Sequence, residues 1–139
     1  MRIVNREEFL SLEDPVLYVK CDEYGNTSGE LSVSYGRSSK GSEDFVTLPL
    51  HGWIKKWGSG HSPNDSGELF DLLSDVIKNR DLHFEWDYTA TSRDGLYDKD
   101  QLFMIYEQID LLKLMRMLDK IYTYQFNKDE YDSKYYDEY

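Results

Sequence analysis

The hydrophobic residues of this chain follow one period in its first third and another in two later stretches, and that switch restricts the fold more than any other feature. Leu31-Ser32-Val33-Ser34-Tyr35 alternates strictly, as a strand with one face on a core must. Val16-Leu17-Tyr18-Val19-Lys20-Cys21 precedes it across the turn Asp22-Glu23-Tyr24-Gly25-Asn26, and Phe45-Val46-Thr47-Leu48 follows, stopped by Pro49. From Asp65 the spacing becomes helical, with Leu69, Phe70, Leu73, Val76 and Ile77 three or four apart behind an Asp65–Glu68 capping pair. Asn5 and Glu8 form a second such pair ahead of Phe9-Leu10, after a brief strand Arg2-Ile3-Val4.

His83 to Thr89 alternates again, placing Phe84, Trp86 and Tyr88 on one face, and Leu102–Tyr106 is the strand expected to pair with it. A last helix from about Ile109 carries Leu111, Leu114, Met115, Leu118, Ile121 and Tyr122 on one stripe and ends near Asn127. The order strands, helix, strands, helix predicts an α+β domain over residues 1–126. Its mainly antiparallel sheet has about five strands, packed with two main helices around one core. Residues 127–139 are expected to form a flexible acidic, tyrosine-rich tail.

That tail holds five carboxylates, four tyrosines and one lysine in its last eleven residues, on a chain of 139 residues with formal net charge −11. With almost no aliphatic side chain it has little to fold around, so it is expected to be solvated and open to a partner. A frayed helix that merely aids solubility is the alternative. The acidic excess disfavours direct nucleic-acid binding, which needs cations to displace counterions from phosphates. It favours a protein partner with a basic surface.

The single Cys21 rules out an internal disulfide and reads as a buried thiol in a reducing compartment. No signal-peptide pattern or membrane-length apolar run is present, so a cytoplasmic location is expected. His51, His61 and His83 have no metal-ligand spacing, and Gly58-Ser59-Gly60 lacks the lysine and hydroxyl of a phosphate loop. Asp94, Asp98 and Asp100 miss calcium-loop spacing, because Lys99 and Ile105 stand where Gly and Glu are required. They read as a hairpin loop that Arg93 could fix by pairing with one of them. No cofactor, metal or catalytic residue is expected, and the chain reads as a non-enzyme.

Two places suit contact with a partner. Trp53 and Trp57 would share a face if their segment made a helical turn, and tryptophan is favoured at interface centres; the same residues also suit a core edge. The aspartates Asp94, Asp98 and Asp100, with Asp129, Glu130, Tyr131, Asp132, Tyr135, Tyr136, Asp137 and Glu138 of the tail, supply carboxylates and rings for cationic groups.

Arg93-Asp94-Gly95-Leu96-Tyr97-Asp98-Lys99-Asp100-Gln101-Leu102-Phe103, with Ser66–Leu73 and the opening Met1–Leu10, resembles a group of small proteins carried by bacteriophages and prophages. The tryptophan-rich middle and the tail depart from that group. The resemblance implies a mobile-element accessory protein acting in the bacterial host, and with the charge and the tail it leads to the expectation of an inhibitor that occupies a basic site on a host defence component such as a CRISPR effector. Two other readings stay open. One is an immunity protein that neutralises a basic toxin nuclease. The other is a small-ligand protein that sequesters or cleaves a nucleotide signal with Trp53, Trp57, His61 and Arg93.

Overall fold

The computed structural model describes residues 1–57, 62–95 and 98–135, with backbone alone at 56 and 57. In chain order the elements are β1 (Arg2–Val4), α1 (Arg6–Ser11), β2 (Val16–Cys21), β3 (Thr27–Arg37), β4 (Phe45–Pro49) and β5 (Ile54–Trp57). They continue with α2 (Ser66–Lys78), β6 (Phe84–Trp86), β7 (Ser92–Asp94), β8 (Leu102–Ile105), α3 (Gln108–Phe126) and α4 (Lys128–Tyr135). Contacts divide the chain into a unit of residues 3–105 and a second of 1–2 with 106–139.

The larger unit is built on a six-stranded, mainly antiparallel sheet in the order β1-β8-β2-β3-β4-β7. Tyr18 of β2 lies opposite Ser32 of β3 and Ile105 of β8, so β2 is a central strand. The Asp22 carboxylate closes the β2–β3 turn by accepting from the Tyr24 and Asn26 amides at 2.9 and 2.8 Å, and Gly25 supplies the positive φ of 80°. Short α1 starts as its sequence requires. Asn5 accepts from the Glu8 amide and Glu8 reaches back to Asn5. The helix lays Phe9 on the sheet, parallel to Phe103 with centroids 3.9 Å apart and edge-on to Tyr18 and Phe45. Val4, Leu10 and Ile105 complete this core.

A second cluster forms where β5 and β6 pair, Ile54 opposite Trp86 and Trp57 opposite Phe84. Buried Ile54 and Leu69 gather Trp53, Leu72, Leu73, Val76, Leu82, Phe84 and Trp86, and Asp65 caps α2 by accepting from the Glu68 amide at 2.8 Å. The expected single core is therefore two clusters, and α2 packs on the β5–β6 ribbon. Phe84–Trp86 does not pair with Leu102–Ile105. The latter is apolar on both faces, which suits an interior position between β1 and β2, whereas the former has Glu85 exposed between half-buried rings and suits a two-stranded ribbon. Trp53–Trp57 is likewise no helical turn, because Ile54 and its neighbours extend to pair with β6.

In the smaller unit, α3 ends at Asn127 as its periodicity predicts, but the chain does not fray there. The Asn127 side chain accepts from the Glu130 amide at 3.3 Å and donates to the Glu130 carboxylate at 2.9 Å, which starts α4. Tyr131 and Tyr135, four residues apart and on one face, are 2% and 1% exposed. The residues expected to be a solvated tail are thus helical through Tyr135, because two aromatic rings supply the apolar face that aliphatic side chains do not. Residues 136–139 lie outside the described set.

Candidate functional site

The segment ending β2 and the segment entering β8 run side by side, and a glutamine ties them. Gln101 Nε2 donates to the Cys21 carbonyl at 2.9 Å and to the Leu102 carbonyl at 2.8 Å. This brings Asp98 and Asp100 beside Asp22 and Glu23 around an open hollow of about 760 Å³, with Asn5, Ser28 and Lys99 also on its wall. Asp98 turns its own loop by accepting from the Asp100 amide at 3.0 Å. Hydrogen bonds from Asn26 and the Tyr24 amide hold the Asp22 carboxyl below the ordinary aspartate range. Four carboxylates against one lysine give this hollow a negative potential, suited to an arginine or lysine side chain arriving from outside. Among the described residues no group of three His, Cys, Asp or Glu side chains is placed to hold a metal ion.

The sequence pattern points to Asp98 and Asp100 but not to Asp22 and Glu23. The latter sit 75 or more positions away in sequence, and only the β2–β8 pairing joins the two pairs. Cys21 at the floor is buried, and burial pushes its thiol up, as expected of an inert sulfur.

Asp94 belongs to the framework. It sits on edge strand β7 opposite Phe45 and pairs with Lys20 Nζ at 2.7 Å. Arg93 does not fix its own loop; its Nε donates to Asp44 at 2.8 Å and its Nη2 donates there as well. The loop after β3 carries Asp44, which strand pairing brings beside Arg93, and the carboxylate nearest in sequence loses to one nearest in space. Arg93 is thus paired with Asp44, and His61 lies outside the described residues.

Asp44 is 5% exposed, and the Ser38 hydroxyl, then Ser42 and Arg93, hold its carboxyl at about 2. A carboxyl depressed in the folded chain stabilises it above the unfolded value of 3.8, and that stabilisation is lost as pH falls through about 2. Asp44→Asn is therefore expected to be less stable than the parent at neutral pH, with the gap closing below pH 3.8. Urea midpoints across that acid limb check it; a constant gap would show that the charge of Asp44 is not what matters.

Trp53 is half-buried against the Ile54–Leu69 cluster and so fills a core edge, while the Trp57 side chain lies outside the described residues. On α4, Asp129, Glu130 and Asp132 face solvent, whereas Tyr131 and Tyr135 are spent on packing. Tyr124 meets Tyr131 edge-on at 5.0 Å, and Arg116 and Lys120 lie over the Tyr135 ring at 5.1 and 5.5 Å. Asp119 accepts from the Tyr135 hydroxyl and from Lys134 Nζ at 2.8 Å. Those bonds, Lys134 foremost, lower the Asp119 carboxyl, and Asp119 in turn raises the Tyr135 hydroxyl. Neither tyrosine is offered to a partner, which corrects the expectation for both. Tyr136, Asp137 and Glu138 lie outside the described residues.

Comparison with family models, curated proteins and solved structures gave no match. Among the described residues no helix is long and apolar enough to cross a membrane.

Proposed function

We propose that this chain is a non-enzymatic binding protein, an inhibitor borne by a phage or prophage. It places carboxylates on the basic, nucleic-acid-binding surface of a protein in the host cytoplasm, a defence component such as a CRISPR effector. The observation that carries this reading is the hollow of Asp22, Glu23, Asp98 and Asp100. Gln101 fixes its two walls before any partner arrives, so little ordering cost falls on binding. The exposed Asp129, Glu130 and Asp132 on α4 supply a second set of carboxylates on a helix instead of on a loose tail.

The charge distribution supports the emphasis on the larger unit. Residues 3–105 hold 19 carboxylates against 10 lysines and arginines, so −9 of the net −11 lies there. Such a field speeds encounter with a cationic surface at low salt and fades as the Debye length shrinks. Immobilised protein is therefore expected to capture a basic partner from bacterial lysate at low salt and release it at high salt. The variant Glu23→Gln/Asp98→Asn/Asp100→Asn, whose amides preserve the local turn, is expected to capture far less. Capture that is indifferent to both salt and these replacements would refute the proposal.

A further inference from the structure

The apolar stripe of α3 has no cover within its own unit. Leu111, Met115, Leu118, Ile121 and Tyr122 remain between 37% and 65% exposed, and Phe126 extends the same side. The reason is visible in α4, which packs on the opposite, polar side of α3 through Asp119, Lys120 and buried Thr123. The hairpin thus spends Tyr131 and Tyr135 of α4 on the charged side of the long helix, and nothing of α4 covers the apolar side.

We infer that this stripe is the interface with a second copy of the same chain. The spacing Leu111, Met115, Leu118, Tyr122 steps four, three, four, the 3.5-residue repeat by which one helix seats against another, with Leu114 and Ile121 flanking the seam. No charged residue stands at any of these six positions. The 19 residues of α3 give a contact roughly 28 Å long. Its exposed side chains offer on the order of 600 Å² per copy, so a two-fold pairing removes on the order of 1,200 Å², the lower bound of a stable specific interface.

Charge also selects a second copy over a basic partner at this face. In a chain of net −11 these six positions carry no carboxylate and no cation, and Arg116, Asp119 and Lys120 of the same helix are turned to α4. Two such helices do not repel as two acidic surfaces would, whereas a strongly basic surface gains nothing here. The stripe shares no residue with the acidic hollow, and the inference does not rest on the proposed function.

Light scattering on the full chain during size-exclusion chromatography tests this. The expected mass is twice the 16.5 kDa of one chain at about 100 µM and falls towards one on dilution. Leu118→Glu, at a position exposed in the single chain, is expected to be monomeric with an unchanged far-ultraviolet dichroism spectrum, and Leu111→Glu to behave alike. Phe70→Glu on α2, at a more exposed apolar position off the stripe, should still dimerise. A parent chain that is monomeric throughout, or a Leu118→Glu variant that folds and still dimerises, overturns the inference.

Discussion

Replacing Phe9 with alanine is expected to cost about 3–5 kcal/mol of folding stability. The ring is 1% exposed, stacks on Phe103 and meets Tyr18 and Phe45 edge-on, so its removal forfeits three aromatic contacts as well as the transfer energy of the ring. Its effect on local structure is just as direct. At six residues α1 is far too short to persist by hydrogen bonding alone, and the Asn5–Glu8 box only sets where it begins. Phe9 is what fastens it to the sheet. The check is the urea midpoint at unchanged denaturant slope, where a loss below about 1 kcal/mol would mean that α1 packs elsewhere.

The second large effect is expected at the other end. Truncating Tyr131 and Tyr135 together to alanine should melt α4 and leave the sheet intact, because these are its only buried residues. Without them the eight residues of α4 retain the Asn127 cap, a Lys–Asp pair and little else, and a helix of that length does not hold in water. The dichroism spectrum should lose the signal of about two helical turns, and protease should cut after residue 127 at an otherwise unchanged urea midpoint. Tyr135→Phe separates the ring from its hydroxyl: it keeps the packing on Arg116 and Lys120 but drops the bond to Asp119, and it should preserve most of the helix. If the double variant kept its helicity, α4 would owe its structure to its caps and charges, not to its tyrosines.

These two cases show what sequence pattern can and cannot reveal here. The Asn5–Glu8 and Asp65–Glu68 pairs are short-range devices, and both helices begin where those residues predict. Strict alternation identified β3, and Pro49 marked the end of β4. Strand partners were harder, because alternation says which side chains share a face and nothing about which strand lies alongside. Pattern alone therefore pairs Leu102–Ile105 with the nearest earlier strand, whereas its place is against β2. Arg93 differs from expectation for the same reason, since Asp44 becomes its neighbour only through the β4–β7 pairing.

At the C-terminus the difference between expectation and structure has another origin. Tail composition is dominated by charge, and charge argues for solvation; the four-residue spacing of Tyr131 and Tyr135 was the signal that argued for a helix. Half of the acidic hollow was legible in Asp98 and Asp100. The other half was not, because Asp22 reads as an ordinary turn aspartate, and it is one. Its additional role depends on Gln101 drawing the loop before β8 against the end of β2.

The central proposal is that Asp22, Glu23, Asp98 and Asp100 hold a cationic partner. The most direct measurement is the dissociation constant of the captured partner against salt concentration, for the parent and for Glu23→Gln/Asp98→Asn/Asp100→Asn. The parent is expected to weaken steeply with salt, and the variant to bind at least about tenfold more weakly at low salt with a shallower dependence. Equal affinities and equal salt slopes would contradict it.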